Sequence, residues 1–319
     1  MSFDIAGARV LRLAAGIGTA ARVGSGLGWG LAVYRNRGNG NGSANGQGGA
    51  PGTGPTGEPA AMGDAPPASA SAPLPAHGPP PCRECPLRSL PGLIAPGSTQ
   101  REWIEHYRAG ERQVAKGDDL LRQGAPGDRL FTVLEGVLIR ARLLEDGRRQ
   151  VVNVMFPGDL IGLQAAFDGE MSHSVTALTD SRLCLFPRDR FMDLVTAQPR
   201  FAYDVIWLSA REEDALEQHL VAVGQRPARE RVAYLALWLM ERGMQTGLVR
   251  AHELHVPITQ SQVADMLGLS LVHTNRTFQT LRKAGLIDWN VHRIHIPDLD
   301  RVRDWIGFDR AGLPARPYI

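Results

Sequence analysis

The sequence predicts an α+β chain: an antiparallel β domain, then a long helix, then a C-terminal helix-turn-helix. Three observations predict it. Between residues 120 and 186, short apolar runs recur at near-regular spacing with glycine between them. After Pro199 the apolar period changes from that of strands to that of helices. At residues 259–284 a capping sequence, a small residue, a turn glycine and a basic second helix stand at the offsets of two crossing helices.

The 319 residues, 43% of them hydrophobic, suffice for two compact cores. A net charge of +2 does not by itself point to nucleic acid, so any DNA-binding surface must be local. Three cysteines do not make a secreted disulfide framework and fit a reducing cytoplasm. Val10–Tyr34 is fairly apolar, but Arg12 and Arg22 interrupt it. A spanning helix needs about 20 nearly unbroken apolar residues, so the expectation is against a membrane segment. From Arg35 to Pro81 the composition falls to Gly, Pro, Ala, Ser and Asn, which cannot bury enough apolar surface to offset ordering entropy. Residues 1–81 are therefore expected to be a disordered extension, either a genuine tail or the product of a start codon placed too far upstream.

Order is expected from Cys82. Ser98 reads as the N-cap of a helix over Thr99–Tyr107 carrying Trp103 and Tyr107. Strands are expected at Leu120–Leu121, Leu130–Leu134, Val137–Leu144, Val151–Phe156, Ser174–Leu178 and Leu183–Phe186, with breaks at Gly124, Gly127, Gly136, Gly147 and Gly158. Asp146-Gly147 supplies the positive φ of a hairpin turn. A short helix follows over Arg188–Ala197, and Pro199 opens a longer one to about Val223. Its stripe of Ile206, Leu216, Leu220 and Val223 reads as a dimer seam, or else as a face packed on its own β domain. Glu230–Met244 reads as a buried helix.

Thr259 and Gln262 fit a capping box for a helix over Gln260–Leu267, with Val263, Ala264 and Leu267 inward. Gly268 provides the turn, and Ser270 caps a second helix to about Ala284 anchored by Phe278 and Leu281. Arg276, Arg282 and Lys283 fall in a stretch without acids. When such a helix enters the major groove its first turns face base edges. Arg276 suits guanine O6 and N7, and Asn275 suits adenine. His273 can bond a base or a phosphate, while Thr277, Thr280, Arg282 and Lys283 suit phosphates. Two short runs around a turn at Asn290–Arg293 form a wing. One such unit reads a half-site, so a dimer is expected.

These motifs resemble the Crp/Fnr family of bacterial transcription regulators over roughly residues 82–306. The resemblance rests on Gly124, Gly136, Gly158-Asp159-Leu160-Ile161-Gly162, the helix after Pro199, and Val263-Ala264-Asp265-Met266-Leu267-Gly268-Leu269-Ser270 leading to Asn275-Arg276. It implies a cyclic-nucleotide-binding-like jelly roll over 82–198, a dimerisation helix over 199–224 and a winged helix-turn-helix over 225–319. It also implies a cytoplasmic homodimer on double-stranded promoter DNA that contacts RNA polymerase. The candidate ligand pocket then comprises Gly158, Asp159, Leu160, Gly162, His173 and Ser174.

Departures from the family pattern bear on the signal. Cyclic-AMP-binding members carry an arginine about where His173 stands, and a largely neutral imidazole is a weak substitute for a bidentate guanidinium. Cyclic AMP is therefore not the expected effector. Iron–sulfur members carry N-terminal cysteines and one in the β domain. Cys82, Cys85 and Cys184 match three such positions, but Pro91 stands at a fourth, so a cluster would need a substitute such as His77. A cluster or metal, a Cys82–Cys85 thiol switch, and plain packing without a cofactor remain open. Many members also place a glutamate shortly before the arginine. Val272 and His273 occupy that stretch here, so the flanking bases should differ, with Val272 suited to a thymine methyl. No motif points to an enzyme. An architectural DNA binder that needs no ligand is the other class of function the sequence allows.

Overall fold

The computed structural model describes residues 81–164, 169–309 and 312–319. The N-terminal expectations, from Val10–Tyr34 through His77, lie outside the described residues. Two 3-10 turns, Cys82–Glu84 and Pro86–Ser89, lead to strand β1 (Leu93–Ile94) and helix α1 (Ser98–Tyr107). Ser98 is the first helical residue and not the cap. Gly97 takes the extended cap conformation and its N–H donates to Gln100 Oε1 at 3.2 Å, so the helix is closed from inside.

Among the described residues, eight strands form the β domain: β2 (Gly110–Val114), β3 (Asp119–Leu121), β4 (Arg129–Glu135), β5 (Leu138–Leu143), β6 (Arg149–Met155), β7 (Leu160–Ile161), β8 (Ser174–Ala177) and β9 (Ser181–Pro187). They make two four-stranded sheets, in the orders β2-β9-β4-β7 and β3-β8-β5-β6. All the pairings within them are antiparallel. Strands β2 and β7 were not anticipated. Gly110-Glu111-Arg112-Gln113-Val114 is mostly polar and pairs as an edge along Leu185–Ser181, and Leu160–Ile161 is too short to show a period.

Both faces of these sheets are covered, which is why the strands read as continuous apolar runs. Successive side chains point to opposite faces. In β4, Phe131 and Val133 enter the space between the sheets, whereas Leu130 and Leu134 face outward into a second cluster. In β9, Leu183 and Leu185 face inward while Cys184 and Phe186 join that outer cluster. On the far side, Ile139 of β5 and Val151, Val154 and Phe156 at β6 join a third cluster that is continuous with the C-terminal helices.

Helix α2 runs over Phe191–Ala197, starting three residues later than expected, since Arg188 N–H instead donates to Asp128 O and ties the chain to the sheet. Helix α3 spans Pro199–Gln225 and α4 spans Ala228–Gln245. Strands β10 (Val249–Arg250) and β11 (Glu253–Leu254) follow, then α5 (Gln260–Leu267), α6 (Leu271–Lys283), β12 (Asp288–Trp289), β13 (Ile294–His295), α7 (Leu299–Ile306) and β14 (Arg316–Pro317). Helix α4 is buried nearly all round, with Leu235, Leu237 and Leu239 at 0–1% exposure. Among the described residues no helix is long and apolar enough to cross a membrane.

The turn before β5 needs glycine at Gly136. Its φ is +91°, and a Cβ there would lie 2.3 Å from Ser181 Oγ and 2.6 Å from Asp180 O. Gly147 in the β5–β6 hairpin has φ +82° but open space around it. Chemical denaturation should separate the two effects. Gly136→Ala is expected to lose roughly 2–4 kcal/mol through strain plus clash, and Gly147→Ala about 1 kcal/mol through strain alone. Equal losses would remove the steric argument.

Candidate nucleic-acid interface and sensor pocket

The helix-turn-helix is built by its caps. Thr259 Oγ1 accepts from Gln262 N–H at 3.2 Å, and Gln262 Oε1 accepts from Thr259 N–H at 2.8 Å. Helix α5 then buries Val263, Ala264 and Leu267, and Gly268 closes it at φ +64°. Ser270 Oγ accepts from His273 N–H at 3.2 Å to start α6. Phe278 and Leu281 sit in the core, with Phe278 stacked on Trp289 of the wing at 5.2 Å between ring centroids.

The opposite face of α6 is open. Val272, His273, Arg276, Thr280 and Lys283 are exposed and Asn275 is half-buried. One of the expected phosphate contacts is placed otherwise. Thr277 is 4% exposed and its hydroxyl donates to His273 O at 2.8 Å, because one position after Arg276 a helix turns by about 100° toward the core. Arg282 is exposed, and its Nε donates to Asp288 Oδ1 at 2.6 Å, which ties it to the wing. In the wing itself, Asn290 N–H donates to Arg293 O at 3.0 Å, and β13 also pairs with β11. This makes the wing part of a four-stranded sheet, β10-β11-β13-β12. The β10–β11 hairpin escaped sequence reading because its turn uses Ala251 and His252 at positive φ, not glycine or asparagine.

Helix α3 carries the expected stripe. Ile206 is 68% exposed and Leu220 72%, with Leu216 also exposed, whereas Phe201, Leu208 and Ala222 face the protein. Val223 departs from the stripe by facing the helix-turn-helix, within reach of Gly268. Polar contacts fix α3 to the β domain. The buried Arg140 guanidinium donates to Glu212 Oε1 at 2.5 Å, and Asn153 Nδ2 donates to the same oxygen at 2.8 Å.

A cavity of about 540 Å³ lies between the β domain and α3. Of the expected pocket residues, Asp159 and Leu160 border it, while Gly158, Gly162, His173 and Ser174 do not. Ser174 Oγ accepts from Gln123 N–H at 3.0 Å. His173 is 5% exposed, its Nδ1 3.2 Å from Ser172 Oγ. Asp159 is also spoken for: Phe156 N–H donates to Oδ2 at 2.8 Å, while Arg242 and Arg316 meet Oδ1 at 2.7 and 2.8 Å. Burial alone would raise this carboxyl, but Arg242 and then Arg316 hold it below its ordinary range.

The three cysteines converge on one small apolar cavity of about 30 Å³, together with Leu87, Tyr318 and Ile319. Cys184 arrives on the outer face of β9, and Cys82 and Cys85 in the 3-10 turns packed over it. As placed, these residues do not fit an iron–sulfur cluster. The space is on the scale of a water molecule or two, and among the described residues no group of three potential ligands has the arrangement to hold a metal ion. Burial also raises all three thiols, Cys82 to about 11 and Cys184 to about 12, so in the metal-free protein they are un-ionised at neutral pH and poor nucleophiles.

Two family models match the chain: a cyclic nucleotide-binding domain over residues 111–198 and a Crp-like helix-turn-helix domain over 230–305. The nitrogen fixation regulation protein FixK of Rhizobium meliloti is 30% identical over 191 residues, covering 58% of this chain and 84% of that protein. The chain belongs to the Crp/Fnr family of transcription regulators. A second Crp/Fnr relative, the transcriptional activator protein FnrL of Cereibacter sphaeroides, is 27% identical over 245 residues, or 73% of this chain and 95% of that one. The structure of FixK2 from Bradyrhizobium japonicum shares the fold with a TM-score of 0.55 at 24% identity, covering 61% of this chain and 95% of that chain. The protein is thus a DNA-binding transcription regulator of the Crp/Fnr type.

Two buried histidines of this Crp/Fnr chain contribute to acid sensitivity. Burial, then Arg140 and Arg142, lower His173 from its ordinary 6.5 to about 4. Burial lowers His219 of α3 to about 4 as well, against a raising backbone contact at Ala215; its Nδ1 lies 2.9 Å from Tyr234 Oη. Both are neutral when folded. Between pH 6.5 and 4 the unfolded chain takes up protons that the folded chain refuses, so stability is full above 6.5 and falls as pH drops through that window. The loss is on the order of 2–3 kcal/mol per histidine. Melting temperature should fall from pH 7 to 4.5, and His219→Gln should flatten that profile relative to its own neutral value. An unchanged slope in the variant would remove His219 from the account.

Proposed function

We propose that two copies pair along the exposed stripe of α3 and present two winged heads to a pseudo-palindromic site in promoter DNA. The observation that carries the DNA-reading part is the one-sided chemistry of α6. Val272, His273, Arg276 and Thr280 lie on an unobstructed face, while Thr274, Phe278 and Leu281 lock the opposite face into the core. In the major groove, Arg276 donates to guanine O6 and N7, with Asn275 and His273 beside it and Val272 against a thymine methyl. Thr280 and Lys283 hold the phosphates and fix the register. The exposed Ile206, Leu216 and Leu220 support pairing, because large apolar side chains aligned on one helix face are covered in a stable assembly. Contact with RNA polymerase at the promoter, and residence in the cytoplasm, follow from the same reading.

The 540 Å³ cavity is the place where an effector would act, since it is bounded by α3 and by Leu160 of the glycine-rich turn. Its walls disfavour a cyclic phosphate. Arg140 and Arg316, which border it, are already paired with Glu212 and Asp159, leaving Glu213 and Glu217 as the remaining charge. A neutral or cationic ligand suits it better. Binding there shifts the packing of α3 and with it the spacing of the two heads.

Selection from a randomised duplex pool tests this reading. It should return a two-fold repeat with half-site centres about 34–36 Å apart. Arg276→Ala should lose about 1–3 kcal/mol on the selected duplex and relax one base position per half-site. Retention of the full sequence preference by that variant would remove Arg276 as a reader, and an unstructured pool would overturn sequence-specific recognition.

A further inference from the structure

The segment after α7 does not stay with the reading head. Its strand β14 runs parallel to β1, with Leu93 opposite Arg316 and Ile94 opposite Pro317. Gln245, at the end of α4, donates through Nε2 to Leu313 O at 3.1 Å and to Pro314 O at 2.9 Å. Gln245 O accepts from Gly92 N–H at 2.8 Å, and Gly92 O accepts from Arg316 N–H at 2.9 Å. Gly92 has to be glycine, because a Cβ there would meet the Gln245 backbone at 2.7 Å and its side chain closer still. Beyond this junction Arg316 reaches Asp159, and Tyr318 and Ile319 are 5% and 4% exposed against the cysteines. Thr132 Oγ1 donates to Ile319 O.

One short segment therefore touches the turn before β7, the end of α4 and the cysteine pocket together. Its seating is weak in two places. The buried Arg316 Nε finds no hydrogen-bond partner among the described residues, and the Tyr318 hydroxyl, which faces the pocket, meets only the Cys85 thiol, a poor hydrogen-bonding group. Buried polar groups left without partners favour release into water. We propose that Leu313–Ile319 is a releasable strap. Seated, it closes the pocket holding Cys82, Cys85 and Cys184 and holds α4 against the β domain; released, it opens those thiols and loosens the reading head.

The seated state is the DNA-competent one. In it the α6 face is free, and α5 is braced by Arg149, whose guanidinium bonds Asp265 Oδ2 at 3.1 and 2.8 Å from the β5–β6 hairpin. A head held in place forfeits less freedom on binding DNA, so release weakens binding. Because coupling is reciprocal, DNA should in turn protect the cysteines.

The test reads thiol labelling by a maleimide, resolved by peptide mass, together with affinity for the duplex selected above. It uses the full chain, Arg316→Gln and a variant lacking residues 313–319. Expected are slow labelling of Cys184 in the full chain, at least tenfold faster labelling in both variants, and a five- to tenfold loss of DNA affinity. The selected duplex should slow Cys184 labelling in the full chain, while a scrambled duplex should not. If the truncated chain does not fold, as judged by circular dichroism, Arg316→Gln decides. Unchanged labelling in Arg316→Gln, or unchanged or tighter DNA binding, overturns the strap. The inference rests on the DNA-binding reading for its affinity arm only. A full chain that selects no duplex would defeat that reading, while the labelling arm would still decide whether the segment closes the pocket.

Discussion

The Asp159 carboxylate, buried at the turn before β7, draws together parts of the chain more than 150 residues apart. Arg242 comes to it from α4 and Arg316 from the strap, and the Phe156 N–H closes the turn on its other oxygen. A carboxylate removed from water must be matched by charge and hydrogen bonds, and taking away one partner of such a pair costs about 3–5 kcal/mol. The charge arithmetic is uneven: two guanidiniums share one carboxylate, so burial first, then the neighbouring Arg242, lower Arg316 to about 10. Removing Asp159 would therefore leave two buried cations without the carboxylate they share. While the strap is seated, this constraint joins the β domain, the first helix of the reading head and the strap.

Apolar packing completes the join. Phe156 leaves the end of β6 and meets Trp238 of α4 edge to face, 6.4 Å between centroids, with Arg242 over the Phe156 ring at 5.5 Å. His219 of α3 lies against both Tyr234 and Trp238. Residues of β5 and β6 thus share one core with the helices of the reading head. Under the proposed function, a ligand bound beside such a core would act by moving a rigid neighbour, since a dense core permits few intermediate arrangements. The acidic face of α3, tied to Arg140 and Asn153 through Glu212, stands where a ligand in the adjoining cavity would press on it.

The reading head was the most legible part of the chain, for a physical reason. Its caps are short-range: Thr259 and Gln262 are three residues apart, and so are Ser270 and His273. The core strands were legible as apolar runs, but not which side chain faced which layer. Both faces of the sheets are buried, so Phe131 and Leu130 look alike in sequence although they serve different cores. The fate of Thr277 and Arg282 depended on helix phase and on Asp288 in the wing, which composition does not reveal.

The sequence alone determined what arises within a few residues of chain: the capping box, the Gly268 turn, the basic open face of α6, the Asp146-Gly147 hairpin and the apolar stripe of α3. Tertiary structure alone decided what depends on distant partners. It set Asp159 between Arg242 and Arg316, and gathered Cys82, Cys85 and Cys184 around one small apolar cavity. It also carried the last described residues back across the molecule to β1. Local backbone chemistry is written in neighbouring residues, whereas a buried charge or a sealed pocket is defined by whatever the fold brings against it.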